Sequence, residues 1–149
     1  ILEASDEPGI LSTHLHADGS YEHLLTVPHG ISSGYEHVQA GHAYVQMQGN
    51  EVFKMAVNTL GRIVDETLAA NKLEKSDIDW LIPHQANIRI MEGVAKKINV
   101  PRERVFVNLE RYGNTSAASI PAFNTASSMS EHGVSTPVLS ATSEARAVI

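Results

Sequence analysis

Asp79-Trp80-Leu81-Ile82-Pro83-His84-Gln85-Ala86-Asn87 opens the stretch that decides the fold, and Val105-Phe106-Val107-Asn108-Leu109-Glu110-Arg111-Tyr112-Gly113-Asn114-Thr115-Ser116 closes it. Each piece is a short apolar run, then a turn with one polar residue, then a helical pattern. Such a run leading into a helix reads as a parallel strand entering a crossover helix. A βαβ unit takes about 30 residues, so one unit carries the chain from His84 to Asn114. Both side chains are then expected at the carboxyl edge of one parallel sheet, where open α/β folds bind ligands.

Working outward, Asn50 to Asn71 is the strongest helix. Val52, Phe53, Ala56, Val57, Leu60, Ile63, Val64 and Leu68 keep the 3, 4 spacing of one buried face. Asn50 suits the N-cap and Asn71 a left-handed end. A second helix runs from about Asn87 to Asn99, with Met91, Val94, Ala95 and Ile98 as its apolar stripe and Pro101 just beyond it. A third is expected from Thr115, with Pro121 in its first turns.

Upstream, Ile10 to His16 reads as a strand ending in the turn Ala17 to Ser20, and Leu24 to Val27 as a further extended piece. Pro28 to Gly41 reads as a loop and Ala43 to Met47 as a strand. After Ala122 the chain is Ser/Thr/Ala-rich, with Val138-Leu139 and Ala147-Val148-Ile149 as its strand-like nuclei.

The chain has 149 residues, one domain or half of a larger one. It begins at Ile1, apparently within a strand, which suggests a fragment. It has no cysteine, so disulfides, thiolate metal sites and a Cys nucleophile within this chain are excluded. No apolar run approaches the roughly 20 residues of a membrane helix, and no signal pattern is visible. The net charge of −6 argues against general nucleic-acid binding.

His84 and Asn114 carry the chemistry. A neutral imidazole donates one hydrogen bond and accepts another, and an Asn amide donates without titrating. The pair converging on one point suits a developing oxyanion or enolate. A satisfied structural histidine and a Gly-Asn helix cap are the competing readings.

Arg89, Lys96 and Lys97 are spaced by about two helical turns, with Gly93 between them and Lys54 on the preceding helix. They form either a basic face for an acidic partner or a solvated face with Glu92 pairing to Lys96. His14, His16, His23, His29, His37 and His42 lack a recognised metal spacing and read as surface residues.

Three motifs, Gly49-Asn50-Glu51-Val52-Phe53-Lys54, Pro83-His84-Gln85-Ala86-Asn87 and Gly113-Asn114-Thr115-Ser116-Ala117-Ala118-Ser119, together resemble the β-ketoacyl-acyl-carrier-protein synthase III family. This is the initiating condensing enzyme of bacterial fatty acid synthesis. The resemblance covers Ile1 to about Ala122. It implies a thiolase-like α/β fold, with 1–48 ending the first half-repeat, 49–122 forming the core of the C-terminal half and 123–149 an atypical tail. It makes His84 and Asn114 the His and Asn of a Cys-His-Asn triad whose Cys belongs to the half this chain lacks. Gly49, Asn50, Phe53 and Asn87 would line the pantetheine tunnel. Lys54, Arg89, Lys96 and Lys97 would receive acyl carrier protein.

The implied substrates are acetyl-CoA and the phosphopantetheine thioester of malonyl-acyl-carrier protein. No permanently bound cofactor or metal is implied. The parent protein would be a cytoplasmic homodimer that contacts neither nucleic acid nor membrane. One departure stands out: the family's Gly-rich C-terminal stretch with Phe and Trp has no counterpart after Phe123. A non-catalytic module that docks acyl carrier protein or a partner subunit is the alternative, since this chain has no nucleophile.

Overall fold

The computed structural model describes Asp6, residues 9–120 and residues 147–148. Its frame is a pair of packed helices beside a small parallel sheet. Helix α2 spans Gly49–Asn71 and α3 spans Ile88–Ile98; a shorter α1, Tyr35–Gln39, precedes them. The facing stripes of the long pair supply Val64, Leu68, Met91, Val94, Ala95 and Ile98 to one core, completed by Ile78, Leu81, Val100 and Val105. A smaller cluster, Ile82 and Phe106, takes Trp80 and Ile120 against it.

The ends of α3 follow their residue types. The Asn87 side-chain oxygen accepts the Arg89 N–H at 2.9 Å, meeting one of the orphan donors of the first turn. Asn99 closes the helix with φ 62°, and the Val100 N–H returns to the Ala95 carbonyl at 2.9 Å. Helix α2 differs from expectation by two residues at its N-cap and one at its C-cap. Gln48 rather than Asn50 occupies the N-cap, and Lys72 rather than Asn71 takes the left-handed cap at φ 56°. Asn71 stays helical because its amide is engaged inside the fold, donating to the Thr67 carbonyl at 2.8 Å and to Ser12 Oγ at 2.6 Å.

Strand β3, Trp80–Leu81, pairs in parallel with β4, Ala147–Val148, in the register Trp80↔Ala147 and Leu81↔Val148. On its other side Leu81 bridges to Val105, again in parallel, and the Phe106 N–H donates to the Leu81 carbonyl at 2.9 Å. The βαβ path through α3 is therefore as expected, and β3 is the middle row of a parallel group.

A separate two-stranded antiparallel ribbon joins β1, Leu25–Thr26, to β2, Gln46–Met47. Residues 10–16 run without a ladder partner among the described residues, so the expected strand there is absent. Side-chain bonds to α2 hold this segment instead. His14 Nδ1 lies 2.8 Å from a Glu66 oxygen and His16 Nε2 lies 3.2 Å from the same carboxylate. The expected loop 28–41 contains a short 3-10 turn, Ile31–Ser33, and α1.

The expected third helix is replaced, as far as it is described, by one turn of α4, Leu109–Tyr112, and a 3-10 turn, Ser116–Ser119. Gly113 separates them at φ 68°, a conformation that interrupts a right-handed helix. Pro121 and Val138-Leu139 lie outside the described residues.

Candidate functional site

His84 stands at the carboxyl end of β3, where Pro83 holds the residue before it extended. The imidazole is exposed, yet Nδ1 is anchored 2.8 Å from Ser119 Oγ. Ser119 is wholly buried. Its hydroxyl also accepts the Gln85 N–H at 3.0 Å and lies 3.1 Å from Thr115 Oγ1.

Gln85, likewise wholly buried, ties the strand ends together. Its Nε2 donates to the Pro83 carbonyl at 2.9 Å and to the Phe106 carbonyl at 3.1 Å. Its Oε1 accepts the Asn108 N–H at 2.9 Å. One side chain thus fixes the exit of β3 against the exit of the 105–107 row and sets the backbone that carries His84.

Asn114 is exposed in the turn that follows Gly113. Its Oδ1 accepts the Ser116 N–H at 3.0 Å, an Asx turn that fixes the side chain locally. His84 and Asn114 share no hydrogen bond. They are connected through Ser119 and Thr115, the latter next to Asn114 in the chain.

The flanking candidates fall into two groups. Gly49 and Asn50 are exposed at the start of α2, and Asn87 is exposed at the start of α3. Phe53 is half-buried on α2 with the Arg89 guanidinium 5.5 Å from its ring centroid, a cation–π distance. Lys97 Nζ donates to Asn58 Oδ1 at 2.7 Å, so Arg89 and Lys97 both lean on α2. Gly93 does not belong to a solvated face: a Cβ there would come within 3.0 Å of a Val57 methyl. Lys54 pairs with Glu51 at 2.8 Å. The expected Glu92–Lys96 pair gives way to Glu92 with Arg102 at 3.7 Å. Lys96 remains exposed.

A groove of about 380 Å³ lies away from His84, lined by Tyr21, Leu24, Gln48, Lys54 and Asn58 among others. Five further histidines gather in two places. His14 and His16 meet Glu66, while the His29 and His37 rings stack at 4.1 Å with His42 at 6.2 Å from His29. Among the described residues no group of His, Asp or Glu is arranged to hold a metal ion. Gln85 and Ser119 escape a reading of the sequence, because neither residue type announces complete burial.

Residues 68–134 match the family model for the C-terminal part of 3-oxoacyl-[acyl-carrier-protein] synthase III. The chain is 64% identical over 121 residues to β-ketoacyl-[acyl-carrier-protein] synthase III of Thioalkalivibrio sulfidiphilus, covering 81% of this chain and 38% of the relative. The corresponding protein of Citrobacter koseri is 57% identical over 121 residues, covering 81% and 37%. Among solved structures, 3-oxoacyl-[acyl-carrier-protein] synthase III from Aquifex aeolicus superposes with a TM-score of 0.68 at 39% identity, covering 80% of this chain and 35% of that one. The priming β-ketosynthase of the R1128 polyketide pathway superposes with a TM-score of 0.62 at 29% identity, covering 73% and 33%.

The chain therefore spans little more than a third of the length of the relatives it matches, and the part it spans is thiolase-like. By sequence and by fold, this chain belongs to the β-ketoacyl-acyl-carrier-protein synthase III family and corresponds to its C-terminal half.

Proposed function

We propose that this chain supplies the oxyanion-stabilising half of a condensing acyltransferase. The reaction would join the acetyl group of acetyl-CoA to malonyl-acyl-carrier protein with loss of carbon dioxide. A cysteine outside this chain would carry the acetyl group, since the sequence has none. His84 and Asn114 would donate to the thioester oxygen while decarboxylation places charge on it, the point at which a preorganised donor counts most. Gly49, Asn50, Phe53 and Asn87 would flank the pantetheine arm. The proposed division places 49–122 at the core of this half, in a cytoplasmic homodimer. The observation that carries the reading is His84 at a parallel strand end, anchored through Nδ1 to buried Ser119, with the Asn114 turn joined to the same hydroxyl through Thr115.

A chimaera tests it. Residues 1–120 replace the matching part of the Thioalkalivibrio synthase, and decarboxylation of malonyl-acyl-carrier protein is followed. His84→Ala and Asn114→Ala should each lower kcat by about 10²–10³-fold, as loss of one oxyanion donor does. Full rates in both variants would remove them from the chemistry. The 149-residue chain by itself should take no label from radioactive acetyl-CoA; a stable adduct would contradict the assignment of the nucleophile elsewhere.

The missing nucleophile also favours a second reading, a module that only docks acyl carrier protein. Lys54, Arg89, Lys96 and Lys97 would form the contact. Arg89→Glu or Lys96→Glu should then slow association and flatten its salt dependence, with His84→Ala binding normally. Equal binding by all forms would return the basic face to solvent.

A further inference from the structure

We propose that Ser119 is a positioning residue for His84, and that its hydroxyl, backed by Thr115, holds the neutral imidazole with its hydrogen on Nε2. The inference deepens the reading of His84 as an oxyanion donor and rests on it. The heavy atoms around Ser119 constrain where its neighbours' hydrogens lie without displaying them.

A serine hydroxyl offers one hydrogen and two lone pairs. Ser119 Oγ has three neighbours: the Gln85 N–H at 3.0 Å, His84 Nδ1 at 2.8 Å and Thr115 Oγ1 at 3.1 Å. Ser119 is 0% exposed, so water contributes nothing to this count. The Gln85 N–H can only donate and takes one lone pair. One hydrogen and one lone pair remain for His84 and Thr115.

Two arrangements satisfy this count. In the first, Ser119 donates to His84 Nδ1 and Thr115 donates to Ser119. Both hydroxyl hydrogens then reach protein acceptors, and the imidazole hydrogen is on the exposed Nε2, where water can accept it. In the second, His84 donates from Nδ1 to Ser119, which donates to Thr115. The Thr115 hydrogen, on a half-buried side chain, then has no protein acceptor among the described hydrogen bonds, and Nε2 is bare. Each arrangement leaves one hydrogen to water; the first leaves it on the exposed imidazole rather than on the half-buried hydroxyl, the less costly place, with Nε2–H facing outward. That is the form an oxyanion site requires of an uncharged histidine.

The test is the ¹⁵N spectrum of the imidazole in the 149-residue chain at about pH 9, well above the ordinary histidine range. The His84 pair of signals is assigned by its loss in His84→Asn. In the unaltered chain Nδ1 should show the shift of a bare ring nitrogen and Nε2 that of a protonated one. A protonated Nδ1 in the unaltered chain overturns the proposal. In Ser119→Ala the separation between the two nitrogens should collapse toward the average of mixed tautomers. Ser119→Cys, a weak donor, should lie between the two. A Ser119→Ala spectrum that matches the parent also overturns it. The catalytic reading stands or falls separately: a chimaera indifferent to His84→Ala would remove the chemistry and leave the tautomer assignment intact.

Discussion

Gln85 and Asn108 are buried amides in contact through the backbone, yet they should respond oppositely to the same substitution. The Gln85 side chain satisfies two carbonyls and one N–H. Gln85→Leu would remove all three bonds, at about 1–3 kcal/mol for each group left where water cannot reach. The Asn108 side-chain oxygen and nitrogen are buried with no hydrogen bond among the described residues. Asn108→Leu removes an unsatisfied amide at nearly constant shape and should raise stability by about 1–2 kcal/mol. Urea unfolding of the two variants beside the parent checks both. A stabilised Gln85→Leu would mean that its amide network contributes little. A destabilised Asn108→Leu would point to an unseen partner for that side chain. Such roles were hidden in the sequence, where His84 and Asn114 stand out by their turns and Gln85 is only the next letter.

Helices α2 and α3 meet at two glycines that should not behave alike. A Cβ at Gly61 would fall 2.7 Å from Lys97 Cδ, the middle of a flexible side chain with an exposed end. Gly61→Ala should therefore stabilise by up to about 1 kcal/mol through helix propensity once Lys97 swings aside. At Gly93 the neighbour is a Val57 methyl at 3.0 Å, with Phe53 behind it at 3.7 Å. Gly93→Val should cost about 1–3 kcal/mol by overpacking. Thermal melts of the two variants decide the order, and equal melting points would show a looser contact between the helices.

The 10–16 segment depends on Glu66. Its carboxyl is held below the ordinary value of 4.5, first by the hydrogen bond from His14 and further by His16, against some desolvation. A depressed folded value means the stabilisation is present above 4.5 and is lost as pH falls through the lower folded value. Hydrogen exchange of residues 10–16 should rise in that acid window, and Glu66→Gln should raise it at neutral pH. Unchanged exchange would assign the docking to Asn71 and Ser12 instead. This segment also marks where pattern reading stops. Alternating residues there predict a strand, but no partner row is available among the described residues, so side-chain bonds hold it. The α2 and α3 periodicities were legible because burial of their stripes depends on a neighbour close in the chain. Single-residue caps shift for tertiary reasons, as Asn71 does.

At the scale of the molecule, cover is incomplete. Leu60 on α2 is 38% exposed, and around the β1–β2 ribbon Ile31, Tyr44, Val45 and Met47 are 75%, 70%, 69% and 62% exposed. Large apolar side chains exposed to this degree become an interaction face or an aggregation liability where they adjoin. The chain alone should bind an apolar dye and self-associate. Val45→Lys with Met47→Lys should reduce both effects without lowering the melting temperature, since neither side chain is packed. A monodisperse monomer that binds no dye would show the ribbon to be benign. Relatives that match this chain are about twice its length, so the thiolase-like assignment does not itself provide a closed core here.

The pairing of β3 with β4 also sets an order in time. Trp80 meets Ala147 across a long loop of chain, while α2 and α3 find each other locally. Contacts of wide sequence separation close late, because their loop entropy is met before any contact rewards it. During synthesis the helical pair can dock while Ala147 and Val148 are still unmade. Through that interval β3 has its Val105 neighbour on one side and an open edge on the other. A nascent chain in this state presents parallel-strand hydrogen-bonding groups to whatever strand arrives first, so the speed of translation from α3 to β4 bears on whether that strand is its own.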